Sequence, residues 1–529
     1  MAESSSQSLL SVRGPVLSEL TLKDGTVLAA DIWRPETQEE LPVLLMRQPY
    51  GRAIASTVAL AHPAWYAARG YIVVIQEVRG TGDSGGDFDA FVHEASDGAE
   101  TLEWARGLDG ANGKVGTYGF SYQGTTQFLM LAAGARPDAM AVSMASWSPF
   151  SDWLSEGDLF RTQLSTGWAV QMARLKATRH SDETALAALA PERGWKAHFD
   201  FLMTRPDLSH LSRWAVGQAG ADPAAMLPDP PTVPLLQTAG AADFLLRGTM
   251  SADRAFRDVS PDTTHLILGP WGHIGWNRSA GAARLGPTAE FSVDRAQLAF
   301  FDHYLKGQGD APAAITAYDA GTERWDNPIS LRGVCEQIYH LGSTGLAATL
   351  LTDGRLTLNP ATAGTDMIVF DPTRQAPLNG GTVPPSGPVN HGPLHDRSDV
   401  ACYTTAPFSE PMQLRDRIEA QISLSVDGPH PGLAASLSVV DEAGRATALA
   451  TTATALRSGL TQLVFEGLYH SLRPGQALRL AIQAAPCPEF LPYPATTLSD
   501  PGIRATTVAI HHSESRLVVF SADQDTTHA

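Results

Sequence analysis

The chain of 529 residues has little cysteine: Cys335, Cys402 and Cys487, widely spaced and odd in number. That excludes a disulfide framework and supplies no zinc-ligand spacing, so the three read as packing residues in a reducing compartment. No apolar run is long enough to cross a bilayer, and no membrane association is expected. Positive charge is also scarce. With 38 Lys and Arg against 56 Asp and Glu, the formal net charge is −18. Such a chain repels a phosphate backbone, and no dense Lys/Arg cluster overrides this locally, which excludes nucleic acid as a partner. The opening residues MAESSSQSLLSVRG put acidic Glu3 where an export signal carries positive charge, and only a very short apolar stretch follows. A cytoplasmic protein is expected.

What is present is a globular composition, 43% apolar and 18% charged, in a chain too long for one core. From about residue 17 to 275, short β-rich runs alternate with helical patterns. VLAADIWRP, PVLLMRQPYG, YIVVIQEVRG, KVGTYGF, AMAVSMAS, VPLLQTAG and THLILGP read as strands, several continuously apolar as in a sheet covered on both faces. The alternation predicts an α/β fold. It stops over residues 149–221, where LFRTQLSTGWAVQMARLKA, ETALAALA and WKAHFDFLM carry helical periodicity, so a helical cap is expected inserted between two strands. The core resumes at Pro234 and ends with DRAQLAFFDHYLKG, closed by Gly307. Beyond Pro312 the runs alternate apolar and polar residues between Gly, Pro and Asn/Asp punctuation, which predicts an all-β jelly roll or sandwich. The expected domains are therefore 1–148 with 222–312, a cap over 149–221, and a β domain over 313–529. Residues 371–399, rich in Pro and Gly, read as a long ordered loop, and no fixed-period repeat is present.

The chemistry centres on KVGTYGFSYQGTTQFLMLAA, a strand-like run followed by a helix-like one, with Ser121 between them. A serine hydroxyl is a weak nucleophile until a base takes its proton, and α/β-hydrolases place that serine on a sharp strand-to-helix turn between small residues. Gly119 precedes Ser121 by two, but Gln123 follows it by two and the next glycine is Gly124. The pattern is G-x-S-x-x-G. In this fold the acid and histidine come later in the chain, in that order. VPLLQTAGAADF gives Asp243 after a late strand, either as a triad acid or as a turn aspartate capping the next helix. THLILGPWGHIGW gives His273 after the last strand. His265 and His303 fit less well, since neither follows a strand's C-terminal end. MRQPYGR puts Tyr50 just past an apolar strand, where its phenol could donate to an oxyanion beside the backbone N–H of Tyr122. The glycines of EVRGTGDSGGDF lack a P-loop lysine and do not form G-x-G-x-x-G before a helix, so no phosphate site is read there.

RQPYG, VRGTGDSGG, GKVGTYGFSYQG, GAADF, GPWGH and FFDHYLKG, taken in order, resemble the cocaine esterase and X-prolyl dipeptidyl peptidase family of serine hydrolases, which includes α-amino acid ester hydrolases and glutaryl cephalosporin acylases. PLHDRSDVACYTT resembles the segment leading into that family's C-terminal jelly roll. The resemblance implies an α/β-hydrolase core with an inserted helical cap and a C-terminal jelly roll, the active site lying where they meet. It implies Ser121 as nucleophile, His273 as base, Asp243 as its orienter, and Tyr50 with the Tyr122 N–H as oxyanion hole. It implies an acyl-enzyme route needing neither metal nor organic cofactor, and makes Arg79 and Asp83 holders of loops.

Family members that select a free amine carry acidic groups, in some cases soon after the triad acid. Here that place reads DFLLRG, which disfavours an α-ammonium substrate. Arg247 either faces the pocket, where it could pair a substrate carboxylate, or lies solvated on a helix. Trp147, Phe150, Trp153 and Leu245, with Phe408 from the β domain, are candidates for an apolar acyl pocket and equally for plain core. The expected partner is a small-molecule ester or amide, and homo-oligomerisation is left open. An acyltransferase or β-lactam-type acylase using the same triad remains an alternative, as does a jelly-roll-based binding protein.

Overall fold

All seven apolar runs of the first 275 residues become strands of one sheet. Leu41–Gln48 and Ile72–Glu77 are buried along their whole length. The reason is two-sided cover: Val43 and Leu45 pack with Leu102 and Ala105 of the helix Glu94–Arg106. Leu44 and Met46, pointing the other way, pack with Phe300 and Phe301 of the helix Val293–Phe301. The computed structural model describes residues 9–522 except 54–58, 282, 361–362, 429–431, 488 and 493–503. Glu3, which bears on export, lies outside the described residues.

The sheet has ten strands, in the order Val12–Thr21, Val27–Pro35, Ile72–Glu77, Leu41–Gln48, Ala111–Phe120, Ala139–Ser143, Leu235–Gly240, Thr264–Gly269, Ile315–Asp319 and Arg324–Asp326. Pairing is parallel from Ile72–Glu77 through to Ile315–Asp319 and antiparallel at both margins. In such open sheets ligands bind outside the carboxyl ends of the strands, where the connecting loops gather. Ser121, Asp243 and His273 all follow strand ends on that side.

The last two strands correct the expected boundary after residue 312. Leu266 pairs with Ile315 and Leu268 with Ala317, so the sheet runs on to Asp326 before the β domain opens at Cys335. A run as short as ITAYD has the same texture as the strands that follow it, and pattern alone could not assign it to the first sheet.

Between Ala139–Ser143 and Leu235–Gly240 lies a mainly helical segment, with helices Thr162–Arg179, Glu183–Ala188, Gly194–Met203 and Leu211–Ala215. It is pinned by its own aromatic core, where Trp153, Trp168, Trp214 and Phe199 are buried together. A three-stranded ribbon ties it to the far end of the chain: Phe490–Pro492 pairs with Leu159–Arg161, which pairs with Ser155–Glu156. The rest of the C-terminal half is a second ten-stranded sheet around an aliphatic core that includes Leu414, Ile418, Leu437, Leu463, Leu480 and Leu517. Thr365–Phe370 alternates exposed and buried residues, whereas Leu433–Val440 and Ala477–Ala484 are buried along their whole length. Within residues 371–399 a single short helix, Gly392–His395, stands in otherwise loop-like backbone.

Candidate active site

Ser121 ends the strand Ala111–Phe120 and opens the helix Tyr122–Ala132 with φ +60° and ψ −123°. Such left-handed backbone is costly for a residue with a Cβ and is found where function demands a fixed side-chain direction. The two glycines have distinct reasons. A Cβ on Gly119 would lie 2.5 Å from Gln123 Cβ, because the turn folds back on itself. A Cβ on Gly124 would lie 2.6 Å from Ala145 Cβ and 3.0 Å from Val142 Cγ1, because the helix rests directly on the next strand. Gln123 needs no glycine. It is buried, and its Oε1 accepts from the Phe120 N–H at 3.0 Å, bridging the turn. Gly124→Ala is therefore expected to push the helix off the sheet and lower stability by about 1–3 kcal/mol, read as a shift in urea midpoint.

The Ser121 hydroxyl lies 3.0 Å from His273 Nε2, and His273 Nδ1 lies 2.7 Å from Asp243 Oδ1. Asp243 is fully buried and accepts a second bond from the Leu245 N–H at 3.2 Å. An ionised carboxylate only accepts, so Nδ1 carries the proton and Nε2 is left to receive the serine's. The His273 ring sits between Phe120 and Phe244, at 4.7 and 4.1 Å between centroids.

Tyr50 stands over the serine. Trp168 Nε1–H donates to the Tyr50 hydroxyl at 3.1 Å, which occupies the oxygen as acceptor and leaves the phenolic proton for the Ser121 side. Burial pushes the Tyr50 phenol up to about 12, against the effect of its hydrogen bonds with Trp168 and Ser121, so it stays protonated at physiological pH. Tyr122 is the first residue of its helix, and its N–H has no intrahelical partner. Its side chain points the other way. Tyr122 Oη donates to Glu94 Oε1 at 2.7 Å, and Glu94 is paired at 3.2 Å with Arg47, both buried. This ion pair ties the back of the elbow to the strand Leu41–Gln48, which leads into Tyr50.

A cavity of about 470 Å³ opens in front of Ser121 and His273. Trp153, Trp168, Phe120 and Phe244 make it aromatic, and Gln163 and Gln171 from the helix Thr162–Arg179 add polar edges. Two charged residues also reach it, Arg161 and Glu489, and Pro384 comes from the 371–399 loop. Glu489 is held by its backbone, whose carbonyl accepts from the Thr162 N–H at 3.0 Å. Burial raises its carboxyl above the ordinary glutamate range, with the Arg161 charge opposing.

Of the six pocket candidates read from sequence, Trp153 lines this cavity. The structure corrects the others. Trp147 packs between Phe128 and Phe256, Leu245 lies in the core beneath the aromatic cluster, and Phe150 packs on that cluster's side. Phe408 rests against the β-domain core. Arg247 lines a separate cavity behind Phe244. Arg79 and Asp83 hold loops, Arg79 on Asp24 and Asp97, and Asp83 on Arg52. Trp168, Arg161 and Glu489 were missed. Trp168 stands in an ordinary helical pattern, and Glu489 arrives only through the pairing of Phe490 with Arg161.

A family profile described as X-Pro dipeptidyl-peptidase (S15 family) matches residues 24–275, and one described as X-Pro dipeptidyl-peptidase C-terminal non-catalytic domain matches residues 331–500. Cocaine esterase of Rhodococcus sp. (strain MB1 Bresler) is 28% identical over 464 residues, covering 81% of this chain and 80% of its own. Among solved structures, an α-amino acid ester hydrolase superposes with TM-score 0.72 at 19% identity over 98% of each chain. An aminopeptidase from the marine sediment archaeon Thaumarchaeota archaeon does so with TM-score 0.72 at 20% identity over 96% of each chain. At those identities the two structures carry the fold alone.

Proposed function

Because this chain belongs to the cocaine esterase and X-prolyl dipeptidyl peptidase family of serine hydrolases, we propose that it cleaves a small neutral ester through an acyl-enzyme on Ser121. The observation that carries the reading is the relay from Ser121 through His273 to fully buried Asp243, at 3.0 and 2.7 Å. In it His273 takes the serine proton as Oγ attacks the carbonyl, returns it to the leaving alcohol, and then activates water against the acyl-enzyme. The Tyr50 hydroxyl and the Tyr122 N–H face the developing oxyanion. The helical segment serves as a cap over the strand ends, and the β domain, read as a jelly roll, closes the site through Glu489 and Pro384. No helix among the described residues is long and apolar enough to cross a membrane.

Neutral substrates fit the charge of the cavity. Glu489 and Arg161 bring opposite charges to its lining from neighbouring positions of one ribbon, and the residues after Asp243 offer no carboxylate to an α-ammonium group. Esters are favoured over amides, since among the described residues no group besides His273 stands ready to assist an amine leaving group. A panel of p-nitrophenyl esters of varied chain length and charge tests this: uncharged acyl chains should turn over fastest. Equal or faster cleavage of α-amino acyl esters would sink the neutral-substrate reading. Tyr50→Phe removes one oxyanion donor and keeps the ring, so kcat should fall by about 100- to 1000-fold with KM little changed. Steady-state kinetics on the best ester measures it.

A further inference from the structure

Behind the wall formed by Arg161 and Phe244 lies a second cavity of about 420 Å³, between the hydrolase sheet and the β domain. Most charges around it are already engaged. Arg445 bonds Asp441 at 2.7 Å, Glu466 accepts from Arg254 at 2.9 Å, and Arg473 bonds the Gly321 carbonyl at 3.1 Å. Asp152 accepts from the backbone N–H groups of Trp147 and Ser148 at 3.0 and 2.7 Å.

Arg284 and Glu323, also on the cavity lining, are exposed to solvent, and two further guanidiniums differ. Arg247 makes no hydrogen bond among the described residues, and its nearest carboxylate oxygen, on Glu156, is 3.9 Å away. Arg161 stands at the same 3.9 Å from the other Glu156 oxygen, and its buried Nε has no hydrogen-bond partner among the described residues. Arg161 itself is only 3% exposed. Both cations stand beyond hydrogen-bond distance of Glu156, and Arg161 also meets the Glu489 charge; what the pair leaves open is donor positions, those of Arg247 and the Nε of Arg161. Leu246, Leu285, Val464 and Leu468 line the same space with apolar surface.

We propose that this second cavity binds a small organic carboxylate between Arg161 and Arg247, with its chain on the leucines, and that the bound acid slows turnover. The open donors suit the two oxygens of a carboxylate and the apolar lining suits an organic chain, which inorganic phosphate lacks. Given the proposed reaction, the nearest source is the enzyme's own product: ester and water yield alcohol, a carboxylate and a proton. The link to the chemistry is short. Arg161 Nη1 donates to the Phe244 carbonyl at 3.0 Å, Phe244 follows the triad acid, and its ring rests 4.1 Å from that of His273. An anion drawing on Arg161 therefore pulls on the loop that holds Asp243, and inhibition should lower kcat rather than only raise KM.

The probe is sodium butyrate, titrated against hydrolysis of p-nitrophenyl butyrate, with sodium chloride at equal ionic strength and butyramide as controls. Butyrate should inhibit in a mixed pattern, while the controls leave kcat unchanged. Arg247→Gln should keep the uninhibited kcat and weaken inhibition by butyrate roughly tenfold or more. Calorimetric titration of butyrate into Ser121→Ala separates this site from the proposed hydrolysis, because it needs no turnover: heat should appear there and vanish in Ser121→Ala/Arg247→Gln. Purely competitive inhibition, inhibition unchanged by Arg247→Gln, or no binding heat in Ser121→Ala overturns the proposal.

Discussion

Ser121→Ala should lower kcat on a p-nitrophenyl ester by about a millionfold, leaving only the residual rate that an oxyanion hole and a binding cavity supply without a nucleophile. The size of the effect follows from how the side chains act as a unit. With the hydroxyl gone, His273 has no proton to take, and the Tyr50 hydroxyl and Tyr122 N–H face an oxyanion that no longer forms. Stability should change little, since the strained φ of +60° is common to serine and alanine and the helix start is held by the Ser121 N–H bond to the Ser143 carbonyl at 2.9 Å. A fall of only about tenfold, with an unchanged unfolding midpoint, would mean that water attacks directly and that the relay is ornamental.

Asp243→Asn should lower kcat by about 10,000-fold without disturbing the fold. Asparagine is nearly isosteric, so the space inside the Gly240–Leu245 turn is kept. What changes is the charge. Asp243 accepts from both the Leu245 N–H and His273 Nδ1–H on one oxygen, Oδ1, while its buried Oδ2 has no hydrogen-bond partner among the described residues. An amide can keep its oxygen in that place and both bonds with it, but it brings no negative charge to the imidazolium that forms as His273 takes the serine proton, and it buries an –NH₂ where Oδ2 stood. Asp243→Glu is the informative companion: its charge survives but its reach is wrong, so intermediate activity would indicate that charge matters beside position.

Ser121, Asp243 and His273 were legible because each sits just after a strand whose apolar run is local, and because their order along the chain matches the order in which this sheet presents its ends. The doubtful glycine spacing has a local cause as well: Gln123 closes the turn through its own side chain, and the glycine moves to Gly124, where helix meets strand. The pocket was far less legible. Trp147 and Leu245 are near the right residues in sequence, but their side chains point into the layer beneath the site, and an apolar residue carries no mark of which way it faces. Arg247 stands on the first turn of the helix Leu246–Val259, and that helix turns it to the second cavity. Glu489 could not have been found at all by periodicity, because its place depends on a strand pairing between segments far apart in the chain, Leu159–Arg161 and Phe490–Pro492. The boundary near residue 312 failed for a related reason: strand partners are a tertiary fact, and ITAYD declares a strand without declaring its sheet.

The central claim is that an acyl group passes through Ser121, and covalent trapping tests it most directly. The protein is treated with a fluorophosphonate, digested, and mapped by mass spectrometry, with Ser121→Ala alongside. The account predicts one adduct, on the peptide spanning GFSYQG, in the wild-type chain and none in the variant. An unlabelled wild type, or a variant that labels as fully, would contradict it.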